Sequence, residues 1–401
     1  MHPLVKPALR RGWRDLNTVQ FGMTPAHAMT LGPMDLATGS FLDLLDGARG
    51  LALLREEGRR MDLPDGHVDA LVERLSRAGL VDDARGGGPA AQALREKKGV
   101  LDRLGPDLAS LSLTTAEPGG AIGRLAARRA LRVQVRGAGR VGVTLAALLS
   151  GAGVGEVDVR DVGRVQPWDV APGGLPADSV GDRRAEAARA VVRRAAPDRP
   201  PRRPGPDAEE PGLALVIIAP RDDVLVHAPC ARAAEPLLSS GTPHLYTGVA
   251  EGTGSVGPLV LPGATGCARC LHEHRTDRDP AWPRLVAQWG SGQARRVGAC
   301  DLTLAAAVAG LAAAHALAFL DGESPSGTGV RWEASLPALH WHARPVWPHP
   351  ACPCGAAEKA EGEHPSTNGT GHETMVVQRP SAEPRQAADA ARPTGTWRAH
   401  V

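Results

Sequence analysis

Four of the six cysteines stand in two tight pairs, Cys267-x-x-Cys270 and Cys352-x-Cys354, with 81 residues between the pairs. Two thiolate pairs brought together fill all four corners of a tetrahedral Zn²⁺ site, which leaves no corner for water and makes the role structural. C-x-C is tighter than C-x-x-C, so His349 is an alternative fourth ligand. Four reduced cysteines without metal are the bland reading. A second group capable of chemistry is Gly137-Ala138-Gly139-Arg140-Val141-Gly142, between the apolar run LRVQV (131–135) and the helical pattern VTLAALLSGAG. In that setting the first glycine permits a tight turn, the second lets backbone approach a phosphate, and the third packs helix on strand. The next extended run, EVDVRD, ends at Asp161, 19 residues past Gly142. A carboxylate there can accept hydrogen bonds from ribose hydroxyls. Arg140, inside the loop, either clamps a phosphate or obstructs it.

The elements that must position these groups follow from the pattern. From 131 to about 356 the chain alternates apolar strands with helical segments, which predicts an α/β domain with a Rossmann-like, mostly parallel sheet flanked by helices. Residues 1–85 read as a small α+β domain of their own. It has extended pieces at 18–22 and 28–34, a helix carrying Phe41, Leu42, Leu44 and Leu45 up to Gly47, and two further helices, the last with Val68, Leu71, Leu75 and Leu80 at helical spacing. Residues 86–130 read as a linker with a short helix. The tail, 357–401, has few large apolar residues and is expected to be disordered. The run 302–320, LTLAAAVAGLAAAHALAFL, is long enough to cross a membrane, but its alanines and His315 favour a buried core helix.

At 401 residues with a formal charge of +2, nothing in the total argues for a nucleic-acid or anionic-membrane partner. The N-terminus shows no apolar signal segment, and paired cysteines suit a metal in a reducing compartment, so a cytoplasmic location is expected. Lysine occurs only at Lys6, Lys97, Lys98 and Lys359, so the central segment has none.

The stretch GAGRVGVTLAALLSGAGVGEVDVRDVGRV resembles the opening of the ThiF/MoeB/HesA family, relatives of the ubiquitin-activating enzymes. The likeness continues through LALVIIAP (213–220), VLVHAPCARAAEPLLSSG, PHLYTGVAEGTGSVGPLVLPGATGCARC and the final cysteines, about 225 residues in the expected order. It implies ATP with Mg²⁺, a structural Zn²⁺, and adenylation of a carboxylate of a small carrier protein or peptide, in a homodimer. By the same resemblance, Gly137, Gly139 and Gly142 hold the phosphates, Asp161 the ribose, Asp222 the Mg²⁺, and Arg184 the transition-state charge. The departures lie among the cations. Asp169 stands where the family has Asn, Pro172 where it has a phosphate-binding Arg, and Arg184 replaces a Lys, an exchange that is not neutral at a phosphate. Losing two cationic contacts is expected to cost several kcal/mol of catalysis, with Arg140, Arg164 and Arg183 as candidate compensations.

The N-terminal pattern, LLDG followed by a helix pair ending in RAGLVDD, resembles the PqqD-like winged-helix modules that recognise leader peptides. Together the two resemblances imply an adenylyltransferase acting on a ribosomal precursor peptide, or a degenerate member of that family. The alternative is a non-catalytic adaptor that delivers such a peptide to a cyclodehydratase. An NAD-dependent dehydrogenase shares the loop and Asp161 but leaves the cysteine pairs unexplained. Among the remaining residues, Cys230 reads as core packing. Cys300 reads as structural, with a reactive low-pKa thiol as the sharper alternative. His272 and His274 read as solvated, and Trp332, Trp341 and Trp347 as parts of a hairpin packed on the sheet.

Overall fold

The computed structural model describes residues 1–198, 212–291 and 297–358. The tail expected to be disordered lies outside the described residues from 359 onward. Among the described residues, the largest sheet has seven strands: β1 (Arg132–Arg136), β2 (Glu156–Arg160), β3 (Leu215–Ile218), β4 (His244–Ala250), β5 (Thr253–Val260), β6 (Val330–Ser335) and β7 (His342–Pro345). Their order across the sheet is β7-β6-β5-β4-β3-β1-β2. β4, β3, β1 and β2 run parallel, and β5, β6 and β7 extend the sheet by antiparallel pairing. β1 lies between β2 and β3, with Val133 facing Val157 on one side and Leu215 on the other. Both valines of RVQVR are fully buried and even Gln134 is 2% exposed, as a strand covered on both faces requires.

Helices cover this sheet: α1 (Arg140–Gly151), α2 (Arg184–Ala195), α3 (Asp223–His227), α4 (Ala231–Ser239), α5 (Ala268–Arg278), α6 (Trp282–Ser291) and α7 (Leu302–Leu320). The segment VLVHAPCARAAEPLLSSG, which reads as one helix, forms two. Pro229 has no amide to continue α3 and pushes Ala228 out of the helical region. Cys230 then becomes the exposed N-cap of α4, not core packing. α7 is long and apolar enough to span a membrane. Here Leu304, Val308, Ala309, Ala312 and Ala316 bury its inner face against the sheet and α1, whose Val143, Leu145 and Leu149 are fully buried. Alanine is small enough to let the two helices approach closely. The side chain of Asp301 caps α7, accepting from the amides of Thr303 and Leu304 at 2.9 and 3.0 Å.

The N-terminal region pairs Pro3–Val5 with Val81–Asp83 and adds a three-stranded antiparallel sheet of Arg11–Asp15, Thr18–Phe21 and Met29–Leu31. Helices at Leu36–Phe41, Leu51–Arg60 and His67–Arg77 close a core of Val19, Phe21, Phe41, Leu54, Leu75 and Leu80. Strand Arg11–Asp15 gives no apolar pattern because every residue in it is exposed; it pairs with Thr18–Phe21, sets Trp13 against Gly39 and pairs Arg11 with Asp43. Residues 86–130 are more than a linker. They form four helices, Gly88–Arg95, Lys98–Arg103, Gly105–Thr114 and Gly120–Arg128, around Leu94, Leu104 and Leu125. Lys6 ties the N-terminal core to this layer. It is 2% exposed and donates to the Thr115 carbonyl at 2.7 Å, while burial lowers its pKa. Arg128, at the other end of the layer, meets Asp321 just past α7 in a bidentate pair at 2.7 and 2.6 Å.

Candidate functional site

The turn from β1 into α1 is shaped by its glycines. Gly137 has φ +116° and its amide bonds the Arg160 carbonyl at 2.8 Å; a Cβ there would fall 1.9 Å from the Ala219 carbonyl oxygen. A Cβ on Gly142 would lie 2.1 Å from the Gly137 oxygen, so only glycine lets α1 sit this close to the loop. Gly139 is the N-cap of α1, and a Cβ there would meet Cγ of Arg221 at 2.8 Å. Gly137 thus makes the tight turn and Gly142 lets the start of α1 pack against the loop, while at Gly139 the space a Cβ would need is taken by the Arg221 side chain.

Asp161, one residue past β2, turns its carboxylate toward this loop. Its Oδ2 accepts from the Ala138 amide at 2.6 Å, and its Oδ1 lies 3.7 Å from Nε of Arg184. Glycine loop and acid therefore share one crevice at the carboxyl ends of the parallel strands, where doubly wound sheets bind ligands. Arg184, the first residue of α2, is 6% exposed and boxed between Asp161, Asp169 and Gly163. Its buried Nε has no hydrogen-bond partner among the described residues. Asp169 is also buried. Its Oδ2 accepts from the Gln166 amide at 2.9 Å, closing a capping box on the Pro167–Asp169 turn, and its Oδ1 takes Nε and Nη2 of Arg221 at 2.8 and 2.6 Å. Sequence reasoning passed over Arg221. Its position three residues past the end of β3 was the available signal.

The other candidates fall around this crevice. Arg140 directs Nη1 to the carbonyl of Cys300 at 2.7 Å and leaves its buried Nε unpaired, joining the loop to the residues before α7. Cys300 is half-buried against the core, and burial pushes its thiol up, opposite to the shift a reactive cysteine needs. Asp222 caps α3, its Oδ1 accepting from the amides of Val224 and Leu225 at 2.8 and 3.2 Å. Arg164 and Arg183 face each other in an isolated bridge, with Arg164 donating to the Gly181 carbonyl at 2.7 Å.

Farther along the fold the four cysteines converge. Cys267, N-cap of α5, and Cys270 in its first turn lie 3.8 Å apart at sulfur; Cys267 is 3.6 Å from Cys352 and Cys270 is 3.6 Å from Cys354. A regular tetrahedron with Zn–S bonds of about 2.3 Å has edges of about 3.8 Å. The sulfur set fits such an ion with C-x-C in place, and His349 is not needed as a ligand. Instead His349 braces the clasp. Its Nε2 pairs with Asp277 at 2.9 Å, its Nδ1 accepts from the Ala351 amide at 3.1 Å, and its carbonyl takes the Cys352 amide at 2.9 Å. His272 is not solvated: its Nε2 faces the Pro229 carbonyl at 2.8 Å and its Nδ1 accepts from the Trp282 indole at 3.1 Å. β6 and β7 form a hairpin; Trp332 and Trp341 pack against the core, and Trp347 is exposed.

The sequence profile described as the ThiF family matches residues 116–355. No curated protein sequence is matched. Among solved structures, E. coli MccB solved with ATP superposes with TM-score 0.62 at 13% identity, over 88% of this chain and 99% of that one. The microcin C7 biosynthetic enzyme MccB in complex with N-formylated MccA superposes with TM-score 0.61 at 13% identity, over 88% of this chain and 100% of that one. PaaA gives TM-score 0.59 at 15% identity over 86% of this chain and all of the other. At these identities the likeness establishes a shared fold over nearly the whole length of both chains, including the N-terminal region.

Proposed function

The chain belongs to the ThiF family, and from that premise we propose that it binds ATP at the glycine loop and adenylates a carboxylate of a precursor peptide or small carrier protein. The observation that carries the reading is the meeting of Gly137, Gly139 and Gly142 with the Asp161 carboxylate, held 2.6 Å from the amide of Ala138 inside that loop. Asp161 would take the ribose and the loop amides the phosphates. Arg184 would face the charge that builds on the α-phosphate as the carboxylate oxygen attacks and pyrophosphate leaves, a stabilisation that acts most strongly in a site already walled from water. Asp222 would hold Mg²⁺, which supplies charge neutralisation on the leaving phosphates. The four-cysteine clasp would hold Zn²⁺ structurally, since its corners are all protein sulfur.

Support for a peptide as substrate comes from the fold of E. coli MccB, solved with ATP and with MccA, together with the N-terminal region that both chains share. We assign residues 1–85 to peptide recognition in the manner of PqqD-like modules and take the working unit to be a cytoplasmic homodimer. The test is peptide-dependent pyrophosphate–ATP exchange by the full chain, with Asp161→Ala expected to abolish it. A chain that binds no ATP at millimolar nucleotide ends the catalytic reading.

A second reading is favoured by one arrangement: Arg184 and Arg221 already face the carboxylates of Asp161 and Asp169, which compete with a polyphosphate for both cations. On this reading the chain is an adaptor that carries a precursor peptide to a cyclodehydratase. Tight peptide binding without any nucleotide binding selects it.

A further inference from the structure

We propose that Arg221 is the residue that contacts the nucleotide's phosphates in this chain, and that Asp169 opposite it sets how readily it does so. The inference rests on the nucleotide reading above and supplies the cation that Pro172 and the missing lysine leave wanting. Arg221, three residues past the end of β3, lays its stem across the second glycine: Cγ and Cδ lie 2.8 and 3.5 Å from where a Cβ on Gly139 would be. That glycine is the point at which backbone comes nearest a phosphate in this type of loop. The Arg221 side chain is 29% exposed, whereas that of Arg184 is 7% exposed and wedged between two acids. Arg221 thus lies across the glycine loop and more open to solvent than Arg184, while Arg140, in the loop itself, is tied through Nη1 to the Cys300 carbonyl.

In this structure it is paired. Asp169 holds Nε and Nη2 through one carboxylate oxygen. The other oxygen is fixed by the Gln166 amide, so the acid keeps its place when Arg221 moves. An arginine fork suits a phosphate as well as a carboxylate, and a polyphosphate carries the greater charge, so exchange of one partner for the other needs only rotation of the side chain. The carboxylate of Asp169 opposes that exchange twice. It competes for the guanidinium and it repels the incoming anion. An asparagine at 169 would keep an acceptor for the Gln166 amide while giving up the competing charge.

The experiment measures binding of ATP, of its α,β-methylene analogue and of adenosine to the full chain by calorimetry. The variants are Arg221→Gln, Asp169→Asn and the double variant, each checked for an unchanged thermal midpoint. Arg221→Gln is expected to weaken both polyphosphates about tenfold or more while leaving adenosine unchanged, the size of one lost charge-assisted contact. Asp169→Asn is expected to tighten ATP about threefold to tenfold, and at least half of that gain, on a logarithmic scale, disappears when Arg221 is also Gln. If Arg221→Gln moves ATP and adenosine together, the residue has a structural role and the inference is overturned. A gain from Asp169→Asn that is undiminished in the double variant also overturns it, since repulsion alone then accounts for the acid. Wild-type chain that binds adenosine but gains nothing from phosphates sinks this inference and leaves the nucleotide site standing. Wild-type chain that binds neither sinks both.

Discussion

Arg128 and Asp321 permit a sharp test of how the helical layer at 88–128 is fastened to the nucleotide domain. Arg128 ends the last helix of that layer, and Asp321 is the C-cap of α7. Both side chains are 5% exposed, and the pair is bidentate at 2.7 and 2.6 Å, with Nη1 of Arg128 also 3.2 Å from the Ala152 carbonyl. Removing one member of such a buried pair costs about 3–5 kcal/mol, because the other is left charged without a counterion. The two removals are not equivalent. Arg128→Met strands a carboxylate at the negative end of a 19-residue helix, where the dipole adds about 1 kcal/mol of repulsion. Asp321→Asn leaves an acceptor for the guanidinium, which still faces the Ala152 carbonyl and the negative end of α7. We therefore expect Arg128→Met to cost about 4–5 kcal/mol and Asp321→Asn about 2 kcal/mol. Arg128→Met/Asp321→Leu, which fills the space with apolar side chains, should return to within about 1 kcal/mol of wild type. Equilibrium unfolding in urea followed by far-ultraviolet circular dichroism reads all three. Equal losses for the two single variants, or a double variant as unstable as their sum, would refute the argument that an uncompensated charge, and not lost packing, carries the cost.

Two further outcomes follow from the same kind of reasoning. Full chain purified without chelator should contain one zinc per chain, and Cys270→Ser should reduce the content to near zero by elemental analysis; retention of a full equivalent would exclude the tetrathiolate site. His244 is fully buried, its Nδ1 paired with the Thr242 carbonyl at 3.1 Å and its Nε2 unpaired, and burial holds its pKa below the ordinary value. Because the folded-state pKa is depressed, the neutral ring is no burden above about pH 6.5, and stability falls as the pH drops below that value, by up to about 1.4 kcal/mol per pH unit. His227 and His315 shift in the same direction through burial, so His244→Gln should make the acid limb of a stability–pH profile shallower without abolishing it. An unchanged limb counts against His244.

Periodicity and turn chemistry sufficed for the parts of this protein whose structure is set locally. The valines of LRVQV and EVDVRD, the glycines at 137, 139 and 142, and the final aspartate of the second strand specify a strand–loop–helix–strand unit in any context, because each residue answers a steric or hydrogen-bonding demand within about 25 residues of itself. The two cysteine pairs could likewise be read as one site from side-chain chemistry alone. Four leucine-bearing helices in 86–130 were written in the sequence too, but glycines and prolines between short runs masked them as a linker.

What depends on distant chain could only come from the folded molecule. Whether Cys352 and Cys354 meet Cys267 and Cys270 at tetrahedral spacing, or whether His349 takes a corner, is decided by how the segment 347–356 lies against α5. The strand at Arg11–Asp15 has no apolar face to announce it, and its hydrogen bonds belong to its neighbour. Most of all, the state of the cations could not be read off residue types. Arg184 and Arg221 are equally charged as letters, yet one is enclosed between two acids and the other lies across Gly139, more exposed and paired with Asp169. Charge in a crevice acts through distance and solvent exposure, and both are properties of the tertiary structure.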